Sequence, residues 1–157
     1  FEDMTSDSLS AVIAVAMDMN ASYNKLVTKH LPKAQIVYDR FHMQSQFGRD
    51  VLGVIRLDEA RRHKAKEKEI LADISDDTDK ETLKQEAKAE KQEYSQLKKL
   101  RWSLLINSDK LSDSKTEQLH SILQDHHDLA VCYAMKEEMC RLYEVTDYQQ
   151  AVTGWTK

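Results

Sequence analysis

Chain breakers are scarce, and this scarcity constrains the fold more than any other feature of the sequence. Only 3 glycines and 1 proline occur among 157 residues. Charged residues make up 32% of the chain, and its middle is rich in Glu, Lys, Arg, Gln and Leu, which favour helices. Long helices can therefore run without interruption, as is typical of a mostly helical protein. We predict a predominantly α-helical chain that is long enough to bury a core.

The first part of the chain departs from this helical pattern. Residues 11–17 read Ala-Val-Ile-Ala-Val-Ala-Met, an apolar run of the kind that is buried on both faces of a parallel sheet. A helical stretch follows over about 21–31 and is closed by Pro32, and residues 35–38, Gln-Ile-Val-Tyr, form a second β-like run. Strand, helix and strand in this order predict a βαβ unit. The fold class that we expect is α+β, predominantly α.

Three long helices are predicted after this unit, over residues 43–72, 80–106 and 113–145, with turn-like clusters between them. Residues 67–93 contain few large apolar side chains, so the first two helices should form a hairpin that projects into solvent or toward a partner. We also predict that Trp102 and Trp155 are buried in the core.

Charge and targeting features limit the function classes. The formal net charge of -4 gives no support to nucleic-acid binding by bulk attraction, although a fragment whose basic domain lies elsewhere is compatible with it. Cys132 and Cys140 would lie roughly 12 Å apart on one helix, too far for a disulfide. No apolar run approaches the ~20 residues of a membrane span, and residues 1–4 lack signal-peptide character. We expect a soluble cytoplasmic protein without a membrane partner, and the missing initiator Met suggests a piece of a longer chain.

Two aspartates, Asp18 and Asp39, each follow one of the predicted strands. Parallel strands joined by a crossover end at the same edge of the sheet, where open α/β sheets bind their ligands. Paired carboxylates at this edge suit Mg²⁺, and two such ions about 4 Å apart can promote phosphodiester chemistry. The alternative is that each aspartate only caps the helix that follows it.

Several segments closely resemble the DDE-type transposases of bacterial insertion sequences, in the branch that carries a helical insertion. The sharpest is Asp-Arg-Phe-His at residues 39–42, and an apolar strand ending in Asp18 and a Leu-Pro-x-Ala turn at 31–34 precede it. Residues 97–105 and 134–137 are less specific matches. The resemblance implies a partial RNase H-like catalytic domain over 1–42, a helical insertion with a long hairpin over 43–130, and a helix over 131–157 that returns toward the catalytic domain.

The resemblance also implies roles for individual residues. Asp18 corresponds to the second acid of the catalytic triad and is a metal ligand, whereas Asp39 and His42 form the Asp-x-x-His pair that supports the site. No strand before residue 11 supplies the first acid. The third acid is expected beyond residue 157, and the competing candidate is Glu137, which could equally be a solvated helical glutamate. We therefore expect this fragment to be inactive by itself.

The expected function of the parent protein is metal-dependent DNA strand cleavage and strand transfer in transposition. Mg²⁺ or Mn²⁺ is the implied cofactor, transposon-end and target DNA are the implied partners, and the full protein is expected to be a homo-oligomer. The alternative is a helical module that binds protein or DNA without chemistry.

Two further groups of residues are candidate binding sites. A basic helical stripe could follow a DNA backbone, although interleaved acids favour a salt-bridged, solvated face; it comprises Arg56, Arg61, Arg62, Lys64, Lys66 and Lys68. The histidines His120, His126 and His127 invite a zinc interpretation, but their spacing lacks a Cys partner or a His-x-x-x-His pattern.

Overall fold

The fold is mostly helical with one small parallel sheet, which confirms the predicted class. In a computed structural model, residues 6–74 and 80–155 are described. The chain divides into two compact units, the first ending at Gln46 and the second beginning at Phe47. Among the helices of the described residues, none is both long and apolar enough to cross a bilayer.

The first unit contains the predicted βαβ arrangement. Its two strands pair in parallel, with Ala14 opposite Gln35 and Met17 opposite Tyr38. Its elements are α1 (Ser6–Ser10), β1 (Ala14–Met17), α2 (Ala21–His30), β2 (Gln35–Tyr38) and α3 (Arg40–Phe47).

Local capping sets the ends of α2, the crossover helix. The side chain of Asn20 accepts hydrogen bonds from the backbone N–H groups of Ser22 at 2.8 Å and Tyr23 at 3.3 Å, which begins the helix. The helix ends at His30, and Leu31 donates its backbone N–H to Val27. Because Pro32 cannot donate an N–H, the helix does not continue beyond this point.

The sheet is less covered than the apolar run in β1 predicts. Burial on both faces was expected, but Ala14 and Ala16 are exposed, and Ile13 beside them is 85% exposed. On β2, Val37 is 47% exposed. Val27 on α2 is buried. The residues of the two strands, by contrast, are half-buried or exposed.

The second unit consists of helices. A π-helical turn (Gly48–Leu52) leads into α4, and α4 and α5 form the predicted hairpin. The hairpin tip, expected near residues 75–80, lies almost wholly outside the described residues. The helices are α4 (Gly53–Asp73), α5 (Lys80–Lys99), α6 (Arg101–Leu105), α7 (Asp113–Asp125), α8 (His127–Leu142) and α9 (Tyr148–Trp155), and a 3₁₀ turn (Ser108–Lys110) precedes α7.

The helix predicted over 43–72 is helical throughout but contains the π-helical turn Gly48–Leu52, and the other two predicted long helices are interrupted. The helix predicted over 80–106 breaks at Leu100, between α5 and α6. The helix predicted over 113–145 breaks at His126, whose backbone angles of φ -125° and ψ 79° leave the helical region. His126 thereby ends α7 and begins α8.

The core of the second unit lies where the hairpin base meets the later helices. Gly48 packs so closely against Leu105 that an added Cβ would collide with the leucine side chain. The prediction that Trp102 is buried is wrong, because it is 65% exposed beside Arg101; the side chain of Trp155 lies outside the described residues. The buried core residues are Leu52, Ala60, Leu97, Leu100, Leu104, Leu119, Ile122, Leu129 and Tyr133.

Candidate metal centre at the sheet edge

The parallel register brings Asp18 and Asp39 to the same edge of the sheet. Asp18 directly follows β1, and Asp39 directly follows β2. The backbone N–H of Asp39 donates to the carbonyl of Met17 at 3.0 Å, so the ladder of hydrogen bonds continues to the strand ends. The predicted juxtaposition of the two carboxylates is therefore present.

His42 lies between these two carboxylates. Its Nδ1 atom is 2.9 Å from Oδ1 of Asp18 and 3.0 Å from Oδ2 of Asp39. One ligand atom from each of the three residues lies within 4.8 Å of the others. All three side chains are about half exposed, at 48%, 50% and 45% for His42, Asp18 and Asp39. We call Asp18, Asp39 and His42 the sheet-edge cluster.

The capping alternative holds for one aspartate and not for the other. Asn20 is the residue that caps α2, so the carboxylate of Asp18 is available to the sheet-edge cluster. Asp39 does cap α3, because its Oδ1 accepts a hydrogen bond from the N–H of Phe41 at 2.9 Å. Its second oxygen, Oδ2, faces His42. Asp39 therefore both caps α3 and positions His42, which lies on that helix.

The surroundings of Asp39 favour its ionised form. The hydrogen bond with His42 lowers the pKa of Asp39 below its ordinary value, and the N–H of Phe41 lowers it further. An ionised carboxylate is the ligand that a hard divalent cation requires. The two carboxylates match the oxygen preference of Mg²⁺ and Mn²⁺, whereas the imidazole is a donor that metals such as Zn²⁺ and Fe²⁺ prefer.

Glu137, the alternative third acid, lies on α8 of the second unit and has partners of its own. Its carboxylate accepts hydrogen bonds from the hydroxyl of Ser108 at 2.7 Å and from the buried ammonium of Lys136. Burial acts to raise the pKa of Glu137, but the hydrogen bonds from Lys136 and Ser108 outweigh it and leave the pKa lowered. These contacts describe a structural ion pair, and a catalytic role for Glu137 stays a prediction.

The candidate DNA-binding residues are paired with acids on the same helix. Arg61 contacts Asp58 at 2.7 Å. Arg62 contacts Glu59 and Lys64 contacts Glu67, both at 2.6 Å. DNA binding by Arg61, Arg62 and Lys64 stays a prediction.

Arg56, at the start of the basic stripe, has a different environment. It is 6% exposed, and its guanidinium donates to the backbone carbonyls of Leu97 at 3.0 Å and Lys98 at 3.2 Å. It thereby satisfies carbonyl groups at the C-terminal end of α5. Arg56 does not belong to an exposed basic surface.

Sequence reasoning missed a second group of candidate ligands in the second unit. Glu59, His63 and His126 each offer one ligand atom, and these atoms lie within 4.8 Å of one another. The sequence grouped His126 with His120 and His127, but both of those side chains are exposed. The spacing of Glu59 and His63, four residues apart on one helix, was the available signal.

Comparison with known proteins identifies the family. The whole chain, residues 1–157, matches the model of a transposase family, the DDE transposases of the ISL3 type. The chain belongs to this transposase family. This confirms the resemblance seen in the Leu-Pro-x-Ala turn and in the Asp-Arg-Phe-His block at residues 39–42.

A curated relative supports the same family. The chain is 29% identical over 143 residues to the transposase for insertion sequence element IS1001 of Bordetella parapertussis. The alignment covers 91% of this chain and 29% of the relative, so the chain spans less than a third of that protein's length. No solved structure matches the chain significantly.

Proposed function

We propose that this chain is part of a transposase that cleaves the DNA ends of an insertion sequence and joins them to target DNA. The observation that carries the proposal is the sheet-edge cluster. It combines two carboxylates and an imidazole at the carboxyl ends of parallel strands, in a chain that belongs to a family of DDE transposases. The proposed partners are transposon-end and target DNA, and the full protein is proposed to act as a homo-oligomer.

Asp18 is the proposed metal ligand of the cluster. Its carboxylate is half exposed and is not used to cap α2, so it can reach an ion and a substrate. The family supports a divalent metal cofactor, Mg²⁺ or Mn²⁺. When bound, such an ion would supply positive charge for the attacking and leaving oxygens of a phosphodiester.

Asp39 and His42 are the proposed positioning residues. Asp39 is held by the N–H of Phe41 through one oxygen and contacts His42 through the other. The ring of His42 is thereby oriented so that Nδ1 faces Asp18. Carboxylates that bind a metal are commonly held by hydrogen bonds from neighbouring side chains, and His42 is placed to hold Asp18 in this way.

We further propose that this chain supplies only part of the active site. Residues 1–42 would form part of an RNase H-like domain, residues 43–130 the helical insertion, and residues 131–157 a helix returning to the domain. Asp18 is the only triad acid assigned with the support of a strand-end position. Because a two-metal site needs further acids, the chain alone is expected to be inactive.

The basic residues of α4 are proposed to contact DNA phosphates in the full protein. Exposed ion pairs such as Arg61–Asp58 contribute only about 0–1 kcal/mol. Exchange of its exposed carboxylate partner for a DNA phosphate is therefore energetically accessible to Arg61. The acidic partners of Arg62 and Lys64, Glu59 and Glu67, are only 15% and 8% exposed, so exchange at these two residues costs more.

Binding of Mn²⁺ to the 157-residue chain tests the metal assignment. We expect Mn²⁺ to broaden the NMR signals of Asp18, Asp39 and His42, since the paramagnetic ion relaxes nuclei close to it. Asp18→Asn should weaken this binding at least about 10-fold, as expected when a ligand charge is removed. Asp109→Asn, an exposed aspartate in the 3₁₀ turn, is the matched control. If Mn²⁺ binding survives Asp18→Asn unchanged, the metal assignment is wrong and the helical interaction module becomes the better proposal.

A further inference from the structure

A second group of metal-ligating side chains lies in the second unit, within the helical region. Glu59 and His63 are one turn apart on α4, and His126 occupies the junction between α7 and α8. Glu90 and Glu93 of α5 face the two histidines. We call these five residues the helical cluster.

His126 is the buried member of the helical cluster. Its side chain is 5% exposed, and each ring nitrogen faces a carboxylate: Nδ1 lies 3.5 Å from Oε2 of Glu59, and Nε2 lies 3.9 Å from Oε2 of Glu93. Nε2 has no hydrogen-bond partner among the described residues. A buried polar atom without a hydrogen-bond partner is rare in folded proteins. Because Nε2 faces Glu93, Nδ1 of His126 and Oε2 of Glu59 are the two atoms that could share an ion.

His63 and Glu59 are held in place by neighbouring charges. Nδ1 of His63 contacts Oε2 of Glu90 at 2.6 Å. Oε1 of Glu59 accepts a hydrogen bond from Arg62 at 2.6 Å, while its Oε2 faces His126. A carboxylate on one ring nitrogen fixes the tautomer and makes the other nitrogen available as a ligand, as in carboxylate–histidine–zinc arrangements.

The charge of the helical cluster favours a bound cation. Three carboxylates, those of Glu59, Glu90 and Glu93, surround two imidazoles, which add no charge in the neutral form that binds a metal. Arg62 adds one positive charge through its pair with Glu59. The group therefore carries a net negative charge of two, which a divalent ion neutralises.

We propose that Glu59, His63 and His126 bind a transition-metal ion of the Zn²⁺ class, with Glu90 and Glu93 as its outer hydrogen-bonding partners. Two imidazoles and one carboxylate suit Zn²⁺ and Co²⁺ better than Mg²⁺ or Ca²⁺. Ligands of a tetrahedral zinc ion lie roughly 3.4 Å apart, and Oε2 of Glu59 lies 3.5 Å from Nδ1 of His126. The ion would join α4 of the hairpin to the α7–α8 junction. This structural site is distinct from the sheet-edge cluster and does not depend on the proposed catalysis.

Calorimetric titration of the metal-free 157-residue chain with ZnCl₂ tests the proposal. We expect one equivalent to bind at the helical cluster at micromolar or lower concentration and to raise the melting temperature, since a ligand of the folded state stabilises it. Co²⁺ should give the visible absorption of a tetrahedral site. His63→Gln and Glu59→Gln should each weaken binding more than 10-fold. Glu90→Gln should weaken it by about 10–100-fold, as loss of an outer partner does.

Two controls separate this site from others in the chain. His127→Gln, at the exposed histidine next to His126, should leave Zn²⁺ binding unchanged. Asp18→Asn should retain the Zn²⁺ binding that His63→Gln loses, because Asp18 belongs to the sheet-edge cluster and affects only ions bound there. Circular dichroism of His63→Gln verifies that the variant is folded, which allows its loss of binding to be interpreted even if a substitution at buried His126 prevents folding.

Three outcomes would overturn the proposal. The first is the absence of Zn²⁺ binding at 100-fold molar excess. The second is binding that is lost in Asp18→Asn and kept in His63→Gln. The third is a melting temperature that Zn²⁺ leaves unchanged, which would show that the helical cluster does not gain stability from a bound ion.

Discussion

The shared contact of His42 is the residue-scale feature on which the sheet-edge cluster depends. Two carboxylates that meet at one edge repel each other when both are ionised. Nδ1 of His42 lies within 3.0 Å of an oxygen from each aspartate, so one imidazole relieves this repulsion. The two aspartates differ in their contacts with the backbone. The carboxylate of Asp39 also accepts a hydrogen bond from the N–H of Phe41, whereas that of Asp18 contacts His42.

Removal of His42 should raise the pKa of Asp39. The hydrogen bond with His42 is the largest cause of its lowered pKa, so His42→Ala should return the value toward the ordinary 3.8. At a pH above the ordinary pKa of Asp39, its lowered pKa contributes to the stability of the fold. This contribution is lost as the pH falls through the pKa of Asp39 in the folded state. An NMR titration of the Asp39 carboxyl carbon measures the change, with His120→Ala as control. An unchanged titration in His42→Ala would contradict the assigned hydrogen bond.

The ion pair of Glu137 should contribute to stability. Lys136 is 3% exposed in its side chain and donates to Glu137 and to the carbonyl of Ile106. Glu137→Gln removes the charge that balances a buried ammonium and should lower the free energy of unfolding by about 1–3 kcal/mol. Glu138→Gln on the same helix removes only an exposed pair with Arg141 and should change it by less than about 1 kcal/mol.

Urea unfolding of the two variants at neutral pH makes this comparison. Equal stability of Glu137→Gln and Glu138→Gln would show that Glu137 is a solvated helical glutamate. Because its pKa is lowered, the contribution of Glu137 is present above its ordinary pKa and is lost as the pH falls through the folded-state value.

Residues at strand ends were predictable from the sequence, whereas residues joined by helix packing were not. Asp18 and Asp39 meet because two short parallel strands impose one edge, and this rule depends only on local order. His126 reaches Glu59 through the packing of helices that are distant in sequence, which no local pattern encodes. The exposure of Trp102 could not be predicted for the same reason. An aromatic residue favours burial, but the sequence does not show whether a neighbouring helix covers it.

At the scale of elements, the βαβ unit and the hairpin follow from local sequence. Asn20 and Pro32 delimit the crossover helix, and the scarcity of breakers permits α4 and α5 to run for 21 and 20 residues. The break at His126 was not predicted, because no glycine or proline marks it. Burial of the histidine ring beside Glu59 is the tertiary interaction that accompanies this break.

The hairpin should be most protected at its base. Leu52, Ala60 and Leu97 lie in the core, but nearer the tip the buried residues of the described hairpin are Glu67 and Ala87. Few apolar contacts allow local opening, so hydrogen exchange should be faster over 65–74 and 80–90 than over 52–60 and 97–104. Uniformly strong protection in a dilute monomer would contradict this gradient and show that the whole hairpin is folded into the core.

At the scale of the whole molecule, the assignment to a family and the proposed chemistry are supported by different observations. The match over residues 1–157 establishes the family, and the prediction of that family from a few short motifs is confirmed. The chain covers 29% of the IS1001 transposase, and we propose that the acids that would complete a two-metal site lie in other parts of the full protein. Their positions could not be predicted from this sequence, because β1 and β2 are the only strands among the described residues and each already ends at an assigned aspartate.

Cleavage of transposon-end DNA by a transposase that contains this chain is the most direct test of Asp18 as the catalytic metal ligand. Asp18→Asn should reduce Mg²⁺-dependent cleavage more than about 100-fold, and His42→Gln by about 10–100-fold, as expected for a ligand and its outer partner. Asp109→Asn should cleave normally, and the 157-residue chain alone should not cleave. Cleavage at the normal rate by Asp18→Asn would contradict the account.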